Sequence, residues 1–398
     1  MITMCTREPY TPPATPTLHD VYEVTLGPIA HGGHVVAHVD GRPVFVRHGL
    51  PGERVLIEIT SSTSKVSRGR VVEVLDASQD RVVPPCRWAG GCGGCDFQHV
   101  DLSAQRQLKA KVVRESMHHF ARVDVPDLVV AAVPGDETGL GYRTRMGWAH
   151  GPRGWGLRGS RSREVIALDS CLIAAKEIAV PPDEAVLGHH ADAAVGTDGH
   201  VAVSVDGADD RRVVQTVGAR QWRLTASSFW QVHRGAASLL QGRVRELAGA
   251  RPGDAWWDLY SGAGLFAAAL GEDVGENGSV IAVEEGAESQ REARRALHDL
   301  PWVRLVQSPV LPWLESRAAD GVHGAVLDPP RSGAGRGVVS QLVRLEVPFL
   351  VYVACDPVAL ARDVATLMSE GYGVDHIEAW DLFPMTHHVE VLAVLSRL

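Results

Sequence analysis

The chain has 398 residues, 45% of them hydrophobic and 22% charged, which is more length than one ordinary domain uses and ample apolar content for packed cores. Its net charge of −9 excludes a globally basic nucleic-acid binder, so any such binding must come from a local basic face. No apolar run approaches a membrane span, and residues 1–20 lack the basic start and apolar middle of a signal peptide, so the expected compartment is the cytoplasm, with no membrane partner.

Residues 1–17, rich in proline and threonine, read as a disordered tail. Short β-rich runs then follow at 21–26, 35–39, 43–46, 54–59 and 68–75, separated by glycine turns, and suggest a small β-barrel. Barrels of this kind bind RNA or oligosaccharides or are purely structural, and the pattern leaves these open; Lys65, Arg68 and Arg70 add a modest basic spot. Pro84 and Pro85 mark a boundary before Cys86, Cys92 and Cys95, which sit among glycines at 90, 91, 93 and 94. In a reducing compartment such a cluster points to metal or cofactor ligation before disulfides. Three thiolates on a glycine-rich loop can wrap one face of an iron–sulfur cluster, with Cys171 the available fourth ligand. Zinc competes, but typical zinc sites bring two CxxC pairs and this chain has one, so the cluster is preferred. Residues 101–163 carry eleven Lys or Arg against six acids, a net of +5 in an acidic protein, which favours an electrostatic footprint for phosphates. A helix is expected at 105–120 and strands at 142–149 and 154–157, while 181–218 carries no functional signal. From 238 onward helix and strand alternate, with strands at 256–259, 279–283, 303–306, 324–327, 349–354 and 389–395; that is an α/β, doubly wound sheet.

Four stretches of this sheet carry chemistry. Asp258, Leu259, Tyr260, Ser261, Gly262, Ala263 and Gly264 follow its first strand, and Glu284 ends the next, where an acid can hold ribose hydroxyls. The third glycine of the dinucleotide fingerprint is missing, which fits S-adenosylmethionine better than NAD, since no pyrophosphate needs cradling. Asp328, Pro329, Pro330 and Arg331 form either a rigid shelf for a planar base or an ordinary strand-ending turn. Cys355 lies on the carboxyl edge of the fifth strand, ahead of a helix at 358–368 whose free amides and dipole favour the thiolate; the alternative is a buried core cysteine. Glu390 opens the last strand after a proline-bearing loop and is a general base if burial raises its pKa, or else a surface acid, while His387 and His388 read as exposed.

Taken together, the cysteine loop, Tyr142 and Arg143, the 229–231 stretch, the 258–264 turn, the 328–331 shelf, the Cys355 strand end and the 383–390 loop occur in the order seen in RNA uracil-5-methyltransferases. The chain resembles, over nearly its whole length, the branch with a TRAM barrel and an iron–sulfur cluster. After the tail at 1–17, the resemblance implies an OB-fold-type TRAM barrel at 18–79, a central iron–sulfur and RNA-binding domain at 80–225, and a Rossmann-like methyltransferase domain at 226–398. It implies Cys355 as nucleophile and Glu390 as base. Gln231, Tyr260, Gly262, Glu284 and Asp328 would contact S-adenosylmethionine or the target base, and Cys86, Cys92, Cys95 and Cys171 would ligate a 4Fe–4S cluster. The implied protein is a monomer acting on RNA, ribosomal sooner than transfer RNA. Ser261 stands where relatives commonly have Cys, Ala263 and Leu265 where some have Asn, and Met385 and His387 replace the usual His and Gly; these departures bear on cofactor contacts and substrate choice. Rival readings are an RNA cytosine-5-methyltransferase, which also uses a thiol, and a non-catalytic iron–sulfur RNA-binding protein.

Overall fold

A computed structural model of the chain describes residues 19–64, 66–183, 188–208, 211–318 and 321–398. The tail expected at 1–17, Cys5 and Lys65 lie outside these residues. The chain forms two compact units, one running up to Val83 and including His99–Asp101, the other comprising Pro84–Gln98 and Leu102–Leu398.

The first unit is a six-stranded sheet of β1 (Val21–Thr25), β2 (Ile29–Ala30), β3 (His34–Val39), β4 (Arg42–Arg47), β5 (Arg54–Ser62) and β6 (Ser67–Asp76), in the order β1-β5-β6-β4-β3-β2. Period-two alternation turns Val35, Ala37 and Val39 inward from β3 and Val55, Ile57 and Ile59 from β5. The five expected runs correspond to five of these strands; β2, two residues long, is too short to leave a pattern. The fully buried Glu53 carboxylate accepts from the amides of Leu50 (2.8 Å) and Ser78 (3.1 Å) and from Arg81 at 2.5 and 2.7 Å. This fastens the last stretch of the unit to the β4–β5 connection.

In the second unit, α1 (Leu102–Ser116) continues into a π-type turn, Met117–Ala121, and stops at Arg122 in a left-handed conformation (φ 59°). β7 (Val130–Ala132) follows. A five-stranded antiparallel sheet comes next, built from β8 (Arg145–Gly151), β9 (Gly154–Arg158), β10 (Val165–Ala167), β11 (His190–Val195) and β12 (Val201–Val205) in the order β10-β9-β8-β11-β12. Its core of Tyr142, Met146, Trp148 and Trp155 includes Cys171. β13 (Arg212–Val217) and β14 (Arg220–Thr225) form a hairpin, so the featureless-looking 181–218 stretch supplies three strands.

The remaining chain alternates α2 (Ala236–Ala248), β15 (Ala255–Leu259), α3 (Leu265–Val274), β16 (Ser279–Glu284), α4 (Ala287–Ala296), β17 (Val303–Gln307), α5 (Val310–Glu315), β18 (Gly324–Leu327), α6 (Gly335–Arg344), β19 (Phe349–Ala354), α7 (Pro357–Ser369), β20 (Tyr372–Asp381) and β21 (Glu390–Arg397). These strands and β7 make one eight-stranded sheet, β17-β16-β15-β18-β19-β21-β20-β7. Strand alternation splits its side chains between two cores. Trp256, Val326, Val351 and Val353 meet α2 and α3, while Trp257, Ala325, Leu327 and Leu350 meet α6, α7 and the α1 residues Ala110 and Val113. β20 escaped the sequence reading because it carries Asp375, His376 and Glu378 and a register shift between Val374 and His376, so its apolar pattern is broken. Among the described residues no helix is long and apolar enough to cross a membrane.

Candidate active site

β15, β16, β18 and β19 run parallel, so the residues after their carboxyl ends share one edge of the sheet. β21 is antiparallel to β19 and starts at that edge; its register pairs Ala354 with Val391, which sets Cys355 beside Glu390. Tyr260, Glu284, Asp328, Cys355 and Glu390 are thereby gathered along one line. Among the described residues no hydrogen bond ties Gln231 to this edge; its connection is anchored instead by Thr144, whose amide donates to Val232 O at 2.7 Å.

Cys355 is not a thiolate at rest, contrary to the sequence expectation. The α7 amides of Val358 and Ala359 are taken by the capping carboxylate of Asp356, both at 2.9 Å, so they are not free to stabilise sulfur. Burial, with Glu390 and Asp328 nearby, pushes the thiol up to about 12, and Arg331 offsets this only in part. Glu390 is 3% exposed, not a surface acid, and burial reinforced by Asp328 raises its carboxyl well above the ordinary value. Burial likewise pushes Asp328 up to about 7. A thiol and two carboxyls that share charge repulsion in a desolvated edge form the arrangement expected where protons are moved.

The turn after β15 is held from the neighbouring strand. Glu284 accepts from the amides of Gly262 (3.0 Å) and Gly286 (2.6 Å), so it fixes the turn as well as standing at its rim. Gly262 and Gly264 adopt left-handed φ of 53° and 83°, and Tyr260 does so with a side chain, at 64°. A Cβ on Gly262 would meet nothing within 4 Å, so the turn opens onto free space. Buried at the same turn, Asp258 Oδ1 and Ser261 Oγ lack a protein partner.

The 328–331 shelf is braced from behind. Asp363 Oδ2 accepts from Tyr352 OH (2.7 Å) and from the amides of Ala334 (2.8 Å) and Gly335 (3.1 Å). The 381–390 loop is largely buried, which corrects the expectation of exposed histidines. His387 Nδ1 donates to Asp96 Oδ2 at 2.5 Å, and Arg331 Nη2 approaches His388 Nε2 at 3.3 Å. Burial, His387 and Arg331 push His388 down to about 3, so it is neutral. Sequence reasoning had no signal for Asp96, Asp363 or Tyr352 as supports, because their partners are remote in the chain.

Cys86, Cys92, Cys95 and Cys171 line a single recess together with Trp88, Leu157 and Leu168. Gly94 N–H donates to Cys92 Sγ and Gln98 Nε2 to Cys95 Sγ, each at 3.4 Å. Among the described residues, no group of three or more His, Cys, Asp or Glu side chains stands close enough to hold one metal ion. The basic segment needs correction too. Lys109 is buried against Asp381 at 2.5 Å, and buried Arg145 donates to the carbonyls of Thr225, Ala226 and Ser228, so neither is available to phosphates.

Two family models match the chain, a TRAM domain over residues 18–72 and tRNA (uracil-5-)-methyltransferase over residues 320–398. An uncharacterised RNA methyltransferase of Streptomyces avermitilis is 38% identical, with 94% of this chain and 98% of the relative covered. A 23S rRNA (uracil(1939)-C(5))-methyltransferase, RlmD, of Nitrosococcus oceani is 29% identical over 97% of this chain and 98% of its own. In fold, the chain is similar to a Pyrococcus abyssi tRNA (uracil-54, C5)-methyltransferase solved with S-adenosyl-L-homocysteine, at TM-score 0.70 and 20% identity, covering 94% of this chain and 100% of that one.

Proposed function

Because the chain belongs to the RNA uracil-5-methyltransferase family, we propose that it methylates carbon 5 of a uridine in 23S ribosomal RNA, with S-adenosylmethionine as donor. The observation that carries this reading is the meeting of Cys355 with the raised carboxyls of Asp328 and Glu390 at one sheet edge. S-adenosylmethionine supplies an electrophilic methyl group. The open space at Gly262 and the orphaned Asp258 Oδ1 and Ser261 Oγ fit a polar ligand on the glycine turn, with Tyr260 and Glu284 at its rim and Gln231 contributing from its own connection.

Carbon 5 of uracil is too weak a nucleophile to take a methyl group unaided. Cys355 releases its proton to solvent, leaving Glu390 ionised for the later step, and its sulfur bonds to carbon 6, which places an enolate on the ring and activates carbon 5. Asp328 on its braced shelf orients the ring, whose base must leave its stack to reach an edge this enclosed. After the methyl group is in place, Glu390 removes the proton from carbon 5, and the returning electrons expel Cys355 from carbon 6. A carboxyl raised by burial suits this step, since it is a stronger base than a solvated one.

An iron–sulfur cluster in the cysteine recess is part of this reading; it draws on the four thiols lining one recess, two of which receive N–H···S bonds. Cys86, Cys92, Cys95 and Cys171 would hold it in a structural or RNA-orienting role. Anaerobically prepared protein should contain about four iron atoms per chain. Cys92→Ser that remains folded but loses RNA binding would favour orientation over scaffolding.

The reading is tested by incubating the protein with rRNA and labelled S-adenosylmethionine and analysing the nucleosides by mass. The expected product is 5-methyluridine, abolished in Cys355→Ala; 5-methylcytidine would transfer the chain to the cytosine-modifying reading, and full activity in Cys355→Ala would remove the thiol from the mechanism.

A further inference from the structure

The cysteine loop and the loop that carries Glu390 are about 290 residues apart in sequence yet joined by a compact set of hydrogen bonds. The amides of Asp96 and Phe97, directly after Cys95, both donate to Met385 O, at 3.0 and 2.9 Å. Met385 itself adopts a left-handed φ of 64°, a costly conformation for a residue with a side chain. Gln105 on α1, fully buried, holds both loops at once: its Oε1 accepts from Met385 N at 2.8 Å and its Nε2 donates to Phe97 O at 3.2 Å. One turn along α1, Lys109 Nζ donates to Phe383 O at 3.0 Å and to Asp381 Oδ1 at 2.5 Å.

We propose that Gln105 is a positioning residue that clasps the cysteine loop to the 383–390 loop and so sets where Glu390 stands beside Cys355. This rests on Glu390 being the base. The clasp needs an acceptor and a donor on one planar group of this length, which a primary amide provides. A carboxylic acid reproduces the pair only while protonated, because the ionised form cannot donate to Phe97 O and buries a charge beside it. The position is therefore able to convert a structural contact into a pH signature.

Methyl transfer by full-length Gln105→Ala and Gln105→Glu is to be measured against wild type between pH 6 and 9. Gln105→Ala is expected to lose about tenfold or more in kcat with KM for RNA within about twofold. The ratio of the Gln105→Glu rate to the wild-type rate should approach one at low pH and fall as pH rises, a pH-dependent loss that mere loosening of the fold does not produce. Wild-type kcat in Gln105→Ala, or superimposable profiles for Gln105→Glu and wild type, would overturn the proposal. Should either variant fail to fold, amide hydrogen exchange on the wild-type protein decides. The amides of Met385, Asp96 and Phe97 are expected to open as one protected unit, and free exchange at Met385 would overturn the clasp. An inactive wild-type protein would count against the methyltransferase reading alone, since the exchange measurement does not depend on it.

Discussion

At the residue scale the chemistry depends on groups kept away from their solution charge states. With the Cys355 thiol pushed up to about 12, only about one molecule in 10⁵ carries a thiolate at pH 7. If ionisation precedes attack, methyl transfer should rise by about tenfold per pH unit from pH 6 to 8; a flat single-turnover profile over that interval would contradict it. Glu390 gives the matching stability prediction. A carboxyl whose folded pKa lies above its ordinary 4.5 favours folding only while protonated, so its contribution is present below 4.5 and is lost as pH rises through the raised value. Glu390→Gln should therefore raise the thermal midpoint at pH 7 to 8, with the difference vanishing near pH 4, which calorimetry can follow. Cys355 and Glu390 could be read from sequence as candidates because strand ends, prolines and glycines leave local marks. Their protonation could not, because it depends on burial and on each other. The helix dipole argument for Cys355 failed for a specific reason: Asp356, one residue on, captures the amides.

At the element scale, α1 does more than fill space. Its buried Lys109 and the Asp381 that ends β20 form an ion pair with both side chains out of solvent. Removing one partner, as in Lys109→Met, leaves the buried Asp381 with only Arg106, 3.6 Å away, and should cost about 3 kcal/mol in denaturant unfolding. Pairing Lys109→Met with Asp381→Leu should recover part of that loss, because the buried pair is gone while Arg106 loses its carboxylate. Sequence counted Lys109 and Arg145 among the phosphate-facing cations, since a charge pattern carries no information about which charges find buried partners. The same limit hid β20, whose broken alternation reflects its place between β21 and the short β7.

At the scale of the whole molecule, the fold class and six of the eight strands of the methyltransferase sheet were legible, because strands buried on both faces leave continuous apolar runs. The ties between distant segments were not, as no local pattern encodes them. The two compact units give a distinct unfolding signature. All ten tryptophans lie in the second unit, so fluorescence follows that unit alone while far-ultraviolet dichroism follows both. Glu53 anchors the first unit. Burial alone would raise its carboxyl, but Arg81 and the amides of Leu50 and Ser78 outweigh that and hold it below 4.5. Its stabilisation is therefore present above 4.5 and lost as pH falls through the lowered value. Acid should then produce a dichroism change that precedes any fluorescence change, and Glu53→Gln should move it to higher pH; coincident transitions would show one cooperative unit instead. The central claim, that Cys355 forms and Glu390 resolves a bond to carbon 6 of a uracil, is tested most directly by incubating Glu390→Gln with rRNA and S-adenosylmethionine and digesting the product. A methylated uridine attached to the peptide containing Cys355, stable to denaturation, is the predicted result. Free 5-methyluridine released at the wild-type rate with no trapped adduct would contradict it.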